Sequence, residues 1–182
     1  NSGASLDIND TGNYQITLAG DLTSNGTFET RSGHVVLDGN TNQNINTNDS
    51  IAFYELTINN TGGATMQTGL YSLEETLYLT NGTLTTNNNF AFLSSASGTA
   101  RIDEITGSGD ISGDILMQRF IPNGNPGWRF FGSAVSGASL QDWDDDIVTT
   151  GFTGADYPTF SFTSIYTYNE SDTGTYTNGY TA

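Results

Sequence analysis

Three oxygen-bearing side chains fall at alternate positions in the stretch "DGNTNQN" (38–44): Asp38, Asn40 and Asn42. This is the spacing of the first half of an acidic calcium loop, whose side chains converge on one hard cation. Such a loop gives its sixth position to glycine and its twelfth to glutamate; here those positions hold Gln43 and Asp49. A polar turn between strands accounts for the same residues. A second group, "DWDDD" (142–146), crowds Asp142, Asp144, Asp145 and Asp146 around Trp143. Carboxylates so close repel one another unless a cation or solvent screens them. Ca2+ is the ion either stretch would take, and a solvated loop is the alternative.

Little else in the chain is equipped for catalysis. His34 is the sole histidine, so a serine triad or a histidine-rich zinc site would have to use it. It stands beside Val35, Val36 and Leu37, where a strand residue at the surface is the simpler reading. Cysteine and lysine are both absent. Disulfides, thiolate metal sites, cysteine nucleophiles and lysine–asparagine isopeptide staples are excluded with them. Any two of the acids would make a glycosidase pair on paper, but nothing in their spacing sets a separation. No catalytic residue is assigned.

Aromatic residues gather in "GWRFFGSAV" (127–135) and "YPTFSFTSIYTYN" (157–169). Trp128, Trp143, Tyr157 and Tyr166 are candidates for a platform on which sugar rings stack; core packing is the competing use. Phe160, Phe162, Tyr166 and Tyr168 share one parity, the alternation of a strand. Arg119 and Arg129 flank the breaker "PNGNPG" (122–127), placed to stack on Phe120 or Trp128 or to pair with an acid.

The charge balance narrows the partners. Twenty acids face four arginines, for a formal net charge of −16. Phosphate backbones and anionic bilayers need clustered cations, so nucleic acid and membrane surfaces are improbable partners. No stretch approaches the ~18 apolar residues of a membrane span. No basic segment followed by an apolar one opens the chain, so it reads as a mature or excised piece of a longer secreted protein.

The elements that would hold these residues announce themselves by repetition. "LTSNGTFETRSGHVVL" (22–37) is nearly restated as "LTNGTLTTNNNFAFL" (79–93). Anchors at Phe28, Ile58, Leu84 and Ile111 suggest coils of about 26–30 residues, the kind of period that marks a solenoid. Alternations such as Leu77-Tyr78-Leu79 have period two, and no segment of residues 1–121 keeps a helical apolar stripe. The expected fold is all-β: a right-handed parallel β-helix over residues 1–121, then a small β-rich cap or the start of a β-sandwich over 122–182. An antiparallel β-sandwich throughout is the alternative, since Asn25-Gly26 and Asn81-Gly82 suit hairpin turns.

Residues 79–122, with the following "WRFFGS" (128–133) and "LQDW" (140–143), resemble a recurring region of large Bacteroidota surface and secreted proteins, many exported by type IX secretion. The resemblance rests on Gln118-Arg119-Phe120-Ile121-Pro122, then Trp128-Arg129-Phe130, then Leu140-Gln141-Asp142-Trp143. Ala134 departs from the proline usual in that pattern. The likeness implies an extracellular location, export machinery engaged through regions outside this chain, and no particular activity. The function expected is a non-catalytic structural or adhesive stalk segment of a secreted cell-surface protein. Its partners would be extracellular glycans or other surface proteins. The runner-up is a calcium-dependent carbohydrate-binding or polysaccharide-processing module.

Overall fold

The computed structural model describes residues 4–8, 12, 14–123, 128–129, 132, 136–137, 139–143, 147–175 and 177–181, the side chains of Gln141 and Trp143 excepted. The chain divides into two units, residues 1–126 and 127–182.

The first unit is a parallel β-solenoid with three faces per turn. Turn one holds β1 (Ser5–Asp7), β2 (Gln15–Leu18) and β3 (Leu22–Ser24); turn two holds β4 (Thr27–Glu29), β5 (His34–Leu37) and β6 (Gln43–Thr47). In turn three, β7 (Ser50–Asn59) rounds a corner to serve two faces before β8 (Ala64–Met66). Turn four is one unbroken strand, β9 (Leu70–Thr85), bent across all three faces. Turn five holds β10 (Phe90–Phe92), β11 (Arg101–Ile102) and β12 (Ser108–Ser112), and β13 (Ile115–Met117) starts the next. Every ladder between described strands of this unit is parallel. The antiparallel sandwich is therefore not adopted here. Each crossover that a parallel pair requires is one turn of the coil itself.

Stacking like on like builds the core. On the second face, register places Ile16, Val35, Leu56 and Leu77 in one inward row, and Leu18, Leu37, Ile58 and Leu79 in the next. The first face stacks Ile51, Tyr71, Phe90 and Ile115; the third stacks Ala64, Leu84 and Ile111. From Val35 to Leu77 these side chains are sealed from solvent. Each large one contributes about 1.5–3 kcal/mol relative to an exposed position. Phe90 and Phe92 meet edge to face at 5.1 Å.

The turn length differs from the expectation. Register steps run from 34 − 15 = 19 residues (Gln15 on His34) to 108 − 81 = 27 (Ser108 on Asn81). Leu84 does lie on Ile111. Ile58, however, lies on Leu79, and Phe28 belongs to the first face while Leu84 belongs to the third. The restated phrase is thus no structural repeat. What its two copies share is a glycine where the preceding turn comes close. A Cβ on Gly26 would run into the Ala4 carbonyl oxygen, and one on Gly82, at φ 80°, into that of Asn60. Neither Asn-Gly pair turns a hairpin.

Polar side chains close the corners. Between the second and third faces, Gln43 donates from its amide to Leu18 O at 3.0 Å and Gly20 O at 2.6 Å. Its Oε1 accepts from Gly39 N and from Asn60 Nδ2, each at 2.9 Å. Between the third face and the first, Asn87 and Asn88 take the left-handed conformation at φ 50° and 61°, which asparagine tolerates better than most residues. The amide of Asn87 returns to Met66 O at 2.8 Å.

In the second unit, Leu140–Trp143 forms one 3₁₀ turn, and β14 (Thr167–Tyr168) pairs antiparallel with β15 (Tyr180–Thr181). The alternation of residues 160–168 is not realised as a long strand: only Thr167 and Tyr168 are extended in a ladder. Tyr157 is bridged to Thr150, and hydrogen bonds from Thr150 to Phe162 O and Ser164 hold the intervening chain in bends.

Candidate functional site

The outward side of the second face carries a set of titratable groups joined across turns. Register aligns Gln15, His34, Glu55, Thr76 and Arg101 along one row and Val36, Thr57 and Tyr78 along its neighbour. His34 Nε2 is 2.7 Å from Thr57 Oγ1, and Nδ1 is 3.8 Å from Glu55 Oε2. Tyr78 donates to the other Glu55 oxygen at 3.3 Å, and its ring lies 5.5 Å from the imidazole. Burial first, then the Glu55 carboxylate, hold the Tyr78 phenol above its ordinary value. One turn on, Arg101 pairs with Glu75, which raises the guanidinium further. His34, Glu55, Thr57 and Tyr78 are partners to one another across successive turns, as are Glu75 and Arg101, while Thr76 is buried beneath the row. The arrangement is a hydrogen-bonded surface network over the ladder, and His34 is the surface strand residue that its neighbours suggested.

The calcium candidates lie in two separate stretches of the chain. Asp38, Asn40 and Asn42 occupy the exposed corner between the second and third faces. Asn42 Oδ1 accepts from Thr65 Oγ1 at 2.8 Å, one turn away, and its amide donates to Asn44 at 3.3 Å. The residue that departs from the calcium pattern, Gln43, is the one the fold uses, pointing inward where a glycine would leave the corner unfilled. Asp142 accepts from Ser139 N at 2.6 Å and from Ser139 Oγ at 3.0 Å, bonds that lower its pKa. It thereby closes the 3₁₀ turn. Asp144, Asp145 and Asp146 lie outside the described residues. Among the described residues, no three His, Asp or Glu side chains gather closely enough to hold a metal ion.

The second unit brings two of the four aromatic candidates together. Trp128 meets Tyr166 edge to face at 5.4 Å and stacks on Phe162 at 5.7 Å and 28°. Tyr166 continues to Tyr180 at 6.4 Å, and Tyr180 to Tyr168 at 4.8 Å. Tyr157 is exposed, its backbone placed by the Thr150 bridge; of Trp143 only the backbone of the 3₁₀ turn is described.

The chain matches no protein-family model, no curated protein and no solved structure.

Phe162, Tyr168 and Tyr180 complete the ring cluster without having been singled out for it. The first two were visible as members of an aromatic-rich stretch. Tyr180 carried no signal, because only the pairing of β14 with β15 sets it opposite Tyr168. Likewise, Glu55 and Tyr78 join His34 through the register of the ladder alone.

Proposed function

We propose that this chain is a non-catalytic structural and adhesive stalk segment of a secreted cell-surface protein. The observation that carries the reading is the parallel stacking of successive turns, with two apolar rows on the second face running from the first turn to the fourth. A solenoid lengthens by adding backbone turns, each bonded to the last, and needs no larger globular core to do so. Such a rod keeps whatever it carries at a set distance. The acid excess suits a solvated extracellular surface. The resemblance of residues 79–122 to Bacteroidota surface proteins supports export, with type IX secretion as the route.

The test is mechanical. In the parent protein displayed on its host cell, residues 4–117 are exchanged for a Gly/Ser linker of equal residue count, which collapses to a flexible coil. Attachment of the cell should fall, and insertion of one further solenoid turn should leave it intact. Attachment unchanged by the flexible linker, or recovery of the parent protein only from the cytoplasm, overturns the reading.

A further inference from the structure

The aromatic cluster of the second unit has a composition and exposure that internal packing does not account for. Trp128, Phe162, Tyr166, Tyr168 and Tyr180 form one chain of ring contacts, yet each is between 40 and 65% exposed. Contiguous exposed rings of this kind mark binding surfaces more often than they mark inert ones. Three of the five rings carry a hydroxyl. Polar groups border them: Thr167 donates to Thr181 O at 3.2 Å, and Asn169 receives Ser171 N at 3.1 Å and Ser171 Oγ at 2.7 Å. Tyr168 and Tyr180 are held as a directly opposed pair of the β14–β15 ladder, so part of the cluster is fixed by backbone bonds.

We infer that this ring cluster binds a neutral polysaccharide chain. Its ligand must offer apolar faces to the rings and hydroxyls to the border, which is the two-sided chemistry of a pyranose. Residues 127–182 hold seven carboxylates against the one guanidinium of Arg129, so uronates and sulfated glycans are repelled. A peptide anchored by apolar side chains fits less well, since such anchors take well-packed, desolvated sockets. Here each ring is 40 to 65% exposed. The inference does not depend on the spacer reading: a stalk that binds no glycan is still a stalk.

Affinity electrophoresis of the whole chain tests it, in gels holding soluble β-glucan, soluble mannan or polygalacturonate, with EDTA present throughout. At least one neutral gel should retard the chain and the polygalacturonate gel should not. Trp128→Ala with Tyr166→Ala should weaken retardation about tenfold, while Trp128→Phe keeps most of it. A second measurement does not depend on how the alanine variant folds. In a Trp143→Phe background, oxidation of Trp128 by N-bromosuccinimide should slow when the retarding glycan is added. Several results would overturn the inference: no retardation in either neutral gel, retardation equal in the alanine variant, or oxidation unaffected by glycan. Displacement of bound glycan by an arginine hexapeptide, with that peptide binding more tightly through the same two rings, would assign the cluster to a cationic protein partner instead.

Discussion

Asn60 donates an amide proton to Gln43 at 2.9 Å, and both side chains are sealed from solvent. Through this pair three successive turns are joined at one corner: Gln43 reaches back to Leu18 and Gly20, and Asn60 also donates to Thr41 O at 2.7 Å. Inside a corner of low dielectric, a polar group costs little when partnered and much when orphaned. Gln43→Leu strands Gly39 N and the carbonyl of Gly20, while Leu18 O keeps its bond from Asp38 N. The expected loss is at least ~2 kcal/mol, on the basis of about 1–3 kcal/mol for each orphaned group. Urea unfolding reads it as a lowered midpoint, and an unchanged midpoint would show that the corner is solvated.

Tyr71 ties pH to stability. It is buried on the first face, with its hydroxyl 2.7 Å from Ile45 O, and burial pushes its pKa up from 10.0 to about 12. Below pH 10 both folded and unfolded chains keep the phenolic proton, and its contribution is fully present. Between pH 10 and about 12 the unfolded chain ionises while the folded one does not, so stability falls as pH rises. Across that window the loss attributable to Tyr71 is about 2–3 kcal/mol. Tyr71→Phe should be less stable at pH 8, by about 1 kcal/mol for the lost hydrogen bond. Its stability should also decline less steeply from pH 10 to 12, and equal slopes for the two proteins would refute the assignment.

Two glycines separate steric demand from mere presence. Gly82 sits at φ 80° with the Asn60 carbonyl where a Cβ would go, whereas Gly98 is exposed with only the Glu75 carboxylate at 3.7 Å. Gly82→Ala should cost more than ~1 kcal/mol, because both the backbone conformation and the adjacent turn must shift. Gly98→Ala should stay within about 0.5 kcal/mol of the parent, as surface substitutions do. Thermal melts of the two variants measure the difference.

The Arg31–Asp7 pair provides the opposite case. Its guanidinium meets both carboxylate oxygens, at 3.2 and 3.1 Å, but the two side chains are nearly half exposed. Exposed ion pairs are screened and are worth under about 1 kcal/mol. Asp7→Asn should therefore shift the melting temperature little, and by less still in 0.5 M salt. A large shift would mean that the pair staples β1 onto the second turn.

The class of fold was readable because its signals are local. Period-two alternation in Leu77-Tyr78-Leu79 and the chain-wide supply of threonine and asparagine are properties of a few neighbouring residues. Turn length was not readable. Corners absorb residues without changing the rows, so Gln15 and His34 stack across 19 residues while Asn81 and Ser108 need 27. Phe28 and Leu84 are alike in type and suggest one constant period, yet they lie on different faces.

Amino-acid content alone determined that the chain is β-rich, held without disulfides or thiolate metals, and strongly acidic. Those conclusions follow from side-chain chemistry and short-range spacing. Tertiary structure alone decided that Gln43 points inward to bond Asn60. It likewise decided that His34, Glu55 and Tyr78 share a surface and that Tyr180 meets Tyr168. Each is a contact between residues ten or more apart, and which residue faces which across a ladder is set by register, a quantity that a one-residue bulge resets.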